Sequence, residues 1–378
     1  MRISVITSWF TDVIGGSGTG VFFNSFVDGL RNRGYDVELI APVLRAEDYV
    51  NITLERFLFN TQLRNDPRIQ QADVLIGFDY DGYGIDPLQR PPMIASAHAI
   101  FGDVIQWERE PVRTMVEAQA FFDRVSMQQA DRVTCGSDYA RDRISALYNI
   151  PEDKIITIPH GMNVPYWIRQ AQMMTRTEND HPVLLAVSKM YPRKRLDILL
   201  RAMPAIIALH PTVELRVVGD GLEWEAMRAL SREIGIDDHV TWLGNVADER
   251  AFAREWVQAD IFCHPSLQET FGFVYLEAMM MGKPIVASDA SAAPEVVGDA
   301  GLMVEPEDSV GYANAVDRLL LDEGLRQRLS QNGRSRAALF TQRRMIDGYA
   351  DIINELVSER QYHQLVPVHN GLRNTLKR

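Results

Sequence analysis

The sequence predicts an α/β protein built from two Rossmann-like domains with parallel sheets, and three observations carry that prediction. Short apolar runs that end in Gly, Ser, His or Pro alternate with amphipathic helical stretches along most of the chain. That alternation breaks once, over 166–181, and restarts at Pro182. The length of 378 residues also exceeds the usual size of one hydrophobic core. The expected division is therefore an N-terminal domain over 1–165, a linker over 166–181, a second domain over 182–344, and a helical segment with a polar tail over 345–378.

In the first half, the strand Ile3–Thr7 leads through a loop to Gly15, Gly16 and further glycines up to Gly20, then to a helix over Val21–Arg33 and a strand over Asp36–Ile40. Strand, glycine loop, helix and strand form a βαβ unit whose consecutive amides can converge on a phosphate. A dinucleotide site is the obvious competitor. Two features disfavour it: the loop stands about eight residues beyond the strand, and Ala41-Pro42 follows Ile40 where an acidic residue would grip a ribose. Residues 44–72 read as helical and polar-faced, with no chemistry. Ala72–Gly77 and Met93–Ala97 read as strands, the second ending at His98, and the carboxyl ends of parallel strands face the ligand cleft. A structural histidine bonded to a nearby carbonyl is the alternative.

Ile105–Gln129 reads as one long helix whose charges, Glu108, Arg109, Glu110, Arg113, Glu117, Asp123 and Arg124, are mixed in sign and expected on a solvated face. Asp131–Gly136 is the next strand, Ser137 caps the helix after it, and Ile155–Ile158 leads into Pro159-His160-Gly161, where no catalytic role is assigned to His160.

The second half repeats the pattern. Strand Val183–Val187 emits Lys189, Arg193, Lys194 and Arg195, cations suited to a diphosphate or, alternatively, a solvated basic turn. Val213–Val218 runs into Gly219-Asp220-Gly221, and Val240–Leu243 into Gly244-Asn245-Val246. Asp260–Ser266 is a short buried strand, and Pro284–Ser288, Ala293–Gly298 and Gly301–Val304 complete the expected sheet.

After that buried strand comes Gln268–Gly282, QETFGFVYLEAMMMG, with a helix expected from about Phe273. Every residue from Phe271 to Met281 except Gly272 and Glu277 is apolar. An ionised carboxylate buried there costs several kcal/mol unless something polar meets it. Glu269 stands outside the helix, at the positive end of its dipole, where backbone amides can hold an anion and Gly272 permits close approach. Spacing alone does not separate this from a solvated loop glutamate and a core ion-pair partner.

Glu269 and Glu277 with Phe-Gly between them and Glu-Ala-Met at the end resemble the nucleotide-sugar signature of the retaining GT-B glycosyltransferases of family four, the group-1 glycosyl transferases. The resemblance implies a GT-B architecture, two Rossmann-like domains facing across a cleft, with the C-terminal helix crossing back onto the first domain. It implies a retaining transfer of a hexose from a UDP- or GDP-linked donor to a saccharide or glycoconjugate acceptor. Glu269 would then lie beside the donor sugar with His98, Glu277 would bind the ribose, and the amides around Gly272 and Phe273 would hold the diphosphate. Lys189 and Lys194 would neutralise that diphosphate, main chain near Gly219 and Val246 would serve the nucleotide, and Gly15 and Gly16 would close over phosphate and acceptor. Lys189 and Arg195 stand where the family has Arg and Gly, and His160 stands in place of Asn. The resemblance implies no metal and no cofactor beyond the nucleotide sugar as co-substrate. Other readings are a sugar-nucleotide epimerase of the same architecture, a glycosidase using two carboxylates, or a non-catalytic nucleotide-sugar-binding module.

The net charge of −12 argues against nucleic-acid binding and gives no general attraction to anionic lipid, which leaves room only for weak peripheral membrane contact. Cys135 and Cys263 have no metal-type spacing and read as reduced core thiols. With no apolar run of spanning length, and Met1 leading straight into a strand, the expected location is cytoplasmic.

Overall fold

Two six-stranded parallel sheets carry the chain. The computed structural model describes residues 1–9, 18–46, 48–163, 167, 169, 173, 174, 176 and 181–365. Gly15 and Gly16, most of the expected linker 166–181 and the tail beyond Leu365 lie outside the described residues.

The first sheet consists of β1 (Arg2–Ile6), β2 (Asp36–Ile40), β3 (Val74–Phe78), β4 (Met93–Ala97), β5 (Arg132–Cys135) and β6 (Ile155–Thr157), in the order β2-β1-β3-β4-β5-β6. The second consists of β7 (Val183–Val187), β8 (Glu214–Val218), β9 (Val240–Gly244), β10 (Ile261–His264), β11 (Ile285–Ser288) and β12 (Gly301–Val304), in the order β12-β11-β10-β7-β8-β9. Every residue of β3, β4, β7 and β10 is buried. That is why the strands read as continuous apolar runs rather than alternating ones: helices cover both faces of a parallel sheet. Strand order reverses between β1 and β3 in the first sheet and between β7 and β10 in the second. Loops leaving such neighbours diverge to opposite faces and open a crevice at the carboxyl edge, where α/β proteins bind ligands.

The helix Gln342–Leu365 leaves the second domain and packs into the core of the first. Its Met345, Ile346, Tyr349, Ile352, Ile353 and Leu356 share one apolar cluster with Phe22, Phe26, Val74 and Ile76. Each fully buried Ile or Leu among them contributes about 1.5–3 kcal/mol relative to exposure. The Tyr349 hydroxyl bonds Ser96 Oγ at 2.6 Å and Thr134 Oγ1 at 3.0 Å, tying this helix to β4 and β5.

Three stretches differ from the sequence reading. The helix expected over Ile105–Gln129 is Val112–Gln129, because Pro111 precedes its first turn and Ile105–Trp107 forms a separate short turn. Glu108 therefore lies off the helix and is buried, as is Asp123, which accepts a 2.7 Å hydrogen bond from the Tyr148 hydroxyl, so neither belongs to a solvated face. Within 44–72, the helix Tyr49–Gln62 is not merely polar-faced: Arg56 and Asn60 are buried and donate to Ser8 and Asp81, in the loops after β1 and β3. Ala293–Val297 is a short helix rather than a strand, beginning with Pro294 in its first turn.

Candidate active site

At the switch point of the second sheet, the loop after β7 delivers Lys194 and the loop after β10 delivers Glu269. The two meet at 2.5 Å, Lys194 Nζ to Glu269 Oε1. His264, the last residue of β10, places Nε2 2.7 Å from that same oxygen. The Glu269 amide donates to Ser291 Oγ at 2.9 Å, which fixes the backbone beneath the carboxylate. Burial alone would push the Glu269 carboxyl up, but the Lys194 ammonium and His264 outweigh it and hold the group well below the usual carboxylate range. Burial pulls the Lys194 ammonium down and Glu269 opposes it. Glu269 is thus an ionised carboxylate in a dry setting.

Glu277 has the opposite fate. It lies in the helix Phe273–Met280, is buried, and its Oε2 has no hydrogen-bond partner among the described residues. Burial pushes its carboxyl up to about 8. No polar group among the described residues meets that oxygen. Gly272 starts the helix at φ +84°, and a Cβ there would come within 2.6 Å of the Tyr275 ring, so this turn requires glycine.

The basic loop after β7 is not a free counter-charge. Lys189 pairs with Asp220 at 2.9 Å, Arg193 with Glu108 at 3.1 Å, Lys194 with Glu269, and Arg195 with Asp197 and Glu307. Only the Lys189–Asp220 pair is substantially exposed on both sides, at 39% and 50%. Gly219, at φ +117°, lies so close to β7 that a Cβ would meet the Ser188 carbonyl oxygen at 1.9 Å, and its amide donates to Gly244 O at 2.7 Å. The loops after β8 and β9 are thereby joined, and Val246 packs its side chain on the apolar cluster of Phe271 and Tyr275.

The first domain meets this site directly. Thr270 Oγ1 donates to the His98 carbonyl at 2.6 Å, and Ser137, besides capping its helix, donates to Thr270 O at 2.6 Å. His98 and Glu269 are thus brought to one interface. The His98 ring bonds Ser96 Oγ through Nε2 at 2.9 Å and stacks on His160 at 4.8 Å, while its Nδ1 is buried with no partner among the described residues. Burial, with His160 beside it, pulls the His98 imidazole well below its usual range. His160, lowered by burial to about 3, stacks in turn on Phe273, so the aromatic ring next to Gly272 packs on the first domain. Glu295 accepts from the amides of Asp138 and Tyr139 at 2.8 and 3.2 Å, closing the interface at its far side. Cys135 and Cys263 are free and buried. No cluster of three or more His, Cys, Asp or Glu among the described residues is arranged to hold a metal ion, and no described helix is long and apolar enough to cross a membrane.

Residues 16–165 match the family model described as Glycosyltransferase Family 4, and residues 181–322 match that described as Glycosyl transferases group 1. The chain belongs to the family-four, group-1 glycosyltransferases. Among the relatives of this family-four chain is the D-inositol 3-phosphate glycosyltransferase of Saccharomonospora viridis, 30% identical over 61% of this chain and 57% of the relative. Another is the GDP-mannose-dependent alpha-(1-6)-phosphatidylinositol monomannoside mannosyltransferase of Mycolicibacterium smegmatis, 30% identical over 61% of each protein. The chain thus spans about three-fifths of the length of these curated relatives. In fold it is similar to a sucrose-phosphate synthase of Thermosynechococcus elongatus, with a TM-score of 0.77 and 20% identity over 95% of this chain and 99% of that one. The architecture of this family-four chain is GT-B.

Sequence reasoning missed several residues of the site. His264 was visible only as the end of a buried strand, although the argument that placed His98 in the cleft applies equally to it. Glu108 read as one charge in a mixed run, and its apolar neighbours Val104, Ile105 and Trp107 were the available signal. Arg56 lies 4.3 Å from the Trp9 ring and 4.6 Å from the Tyr80 ring, and its Nε donates to Ser8 Oγ at 2.9 Å. Nothing in the local sequence distinguishes it from a solvated helix arginine.

Proposed function

We propose that the protein is a retaining hexosyltransferase that takes a UDP- or GDP-linked sugar as donor and a saccharide or glycoconjugate as acceptor, with no metal or other cofactor. The observation that carries this reading is the contrast within one segment: Glu269 held ionised by Lys194 and His264, and Glu277 buried with an oxygen that has no partner among the described residues. A ribose hydroxyl would satisfy Glu277. The diphosphate would then lie over Gly272 and the first amides of its helix, between Glu277 and Glu269. Lys189 and Lys194 would supply the positive charge that a divalent cation otherwise provides, the first by leaving Asp220. The GDP-mannose named for one relative agrees with a nucleotide-linked hexose.

In the reaction the acceptor hydroxyl attacks the anomeric carbon from the face the diphosphate leaves. The carbon–oxygen bond to phosphate breaks with its electron pair going to the diphosphate, a new carbon–oxygen bond forms to the acceptor, and a donor phosphate oxygen takes the acceptor proton. Glu269, ionised, lies against the positive charge that develops on the sugar ring. A fixed charge in a water-poor site stabilises such a state without reorganising. His98, whose carbonyl accepts from Thr270 next to Glu269, would lie with it beside the donor sugar. We take 1–165, 182–344 and the returning helix as the functional division of the chain.

The test is to incubate the protein with UDP- and GDP-hexoses, with and without EDTA, and to follow nucleoside diphosphate release and the anomeric configuration of the product by NMR. Turnover of one donor with the α or β configuration retained, insensitive to EDTA and strongly reduced but measurable in Glu269→Gln, supports the reading. Binding with no turnover would make the chain a nucleotide-sugar-binding module, and epimerised sugar nucleotide would make it an epimerase.

A further inference from the structure

We propose that His264 is a positioning residue: its ring holds Glu269 Oε1 in place while Lys194 turns toward the donor diphosphate. This rests on the reading of Glu269 as the carboxylate beside the donor sugar. The contact is directional. An ionised carboxylate only accepts, so His264 Nε2, 2.7 Å from Oε1, carries the hydrogen and donates it. Glu269 Oε1 therefore receives both Lys194 and His264, and no hydrogen bond to Oε2 is made by the described residues, which leaves that oxygen for the substrate.

The two donors differ in their freedom to move. Lys194 reaches Glu269 on a four-carbon stem whose ammonium can reorient among several acceptors, and a diphosphate carries more negative charge than one carboxylate. The His264 ring has no such freedom. It is buried to 3% side-chain exposure, stacked on Phe262 at 5.7 Å and met edge-on by Tyr275 at 5.3 Å. Its carbonyl also accepts from the Tyr312 hydroxyl at 3.2 Å, which anchors the strand end from the opposite side. Burial pulls this imidazole below its ordinary range while Glu269 opposes that pull. As donor binding loosens the first hold on the carboxylate, the second remains.

The experiment measures nucleoside diphosphate release from a UDP- or GDP-hexose, nucleoside diphosphate affinity and thermal stability. It compares wild type, His264→Leu and His264→Gln, each alone and combined with Glu269→Gln. Glutamine extends an amide N–H to about where the imidazole Nε2 lies; leucine does not. The expected result is a kcat lower by roughly 10- to 100-fold in His264→Leu, the loss of one hydrogen bond to a charged group. Donor KM and nucleoside diphosphate affinity should stay within about twofold, and His264→Gln should recover most of the rate. In the Glu269→Gln background, His264→Leu should cost no more than about twofold further, because the group it positions is gone. Losses that multiply in the double variant, or a His264→Leu enzyme with unchanged kcat, would overturn the proposal. If His264→Leu does not fold, His264→Asn, whose amide falls short of Oε1, takes its place against His264→Gln. Should Glu269→Gln itself turn over normally, the reading of Glu269 falls first. Should it lose turnover while the His264 variants keep it, only the positioning role falls.

Discussion

Glu269 and Glu277 stand eight residues apart in one segment and lie at opposite ends of the carboxylate range: the first is held ionised by Lys194 and His264, the second is pushed up to about 8 by burial. Both are buried, so exposure does not separate them. Partners do. A carboxylate that has been given its counter-charge inside the protein is prepared to act on something positive, whereas one left without a donor is prepared to receive one.

The Glu277 site makes stability depend on pH. Its folded-state pKa, about 8, lies above the ordinary 4.5, so the folded chain keeps a proton that the unfolded chain surrenders. The site's contribution is therefore fully present below about pH 4.5, falls as pH rises, and is lost by about pH 8. Glu277→Gln should flatten this decline and stabilise the ligand-free protein at pH 8 by on the order of 2–4 kcal/mol. Urea midpoints of wild type and variant between pH 4 and 9 will check it; parallel curves would mean that burial does not control this carboxyl. Binding of a nucleoside diphosphate should release a proton, seen as a binding enthalpy that depends on the buffer's ionisation enthalpy.

Lys189 is the cation of its loop with the weakest tether. An exposed pair such as Lys189–Asp220 is worth about 0–1 kcal/mol, so releasing it costs little. Asp220→Asn should tighten nucleoside diphosphate binding by about two- to fivefold, an effect that shrinks with added salt. Titration calorimetry at two ionic strengths reads it directly. Affinity that is unchanged or weaker would remove Lys189 from the set of diphosphate ligands.

Across the interface, Glu108 and Arg193 form a pair that neither domain could bury alone, with 3% and 19% of their side chains exposed. Burial raises the Glu108 carboxyl and Arg193 lowers it. Arg193→Met strands that carboxylate, and the expected loss is about 3 kcal/mol, less at low pH where Glu108 takes up a proton. Adding Glu108→Gln to Arg193→Met should restore part of the loss, since no buried charge then remains. Denaturation of the three variants at pH 5 and 8 gives the comparison. A double variant as unstable as the sum of the singles would show that the two side chains do not interact.

Much of the architecture was legible because parallel sheets bury their strands on both faces. Met93–Ala97 and Val183–Val187 stand where their apolar runs place them. Glu277 was legible for the same reason, as a carboxylate in a run that has no place for one. What the sequence could not disclose were partners that meet only in three dimensions. The Lys194–Glu269 and Arg193–Glu108 pairs join residues far apart in the chain, and a charged side chain looks the same whether its partner is water or a buried ion. His264 lies only five residues from Glu269, yet it reaches back through a loop, which no periodicity reports.

The helix Gln342–Leu365 has a consequence for how the protein is made. Phe22, Phe26, Val74 and Ile76 gain part of their apolar cover from Met345, Tyr349 and Ile353, so the first sheet is laid down long before the surface that seals it. At ordinary rates of synthesis, the roughly 180 residues between Thr157 and Gln342 take about 10–40 s to emerge. Through that interval the nascent first domain carries an open hydrophobic face on the ribosome. A chaperone, or the second domain folding beside it, has to shield that face until the end of the chain returns, and an amino-terminal fragment expressed alone should aggregate rather than fold.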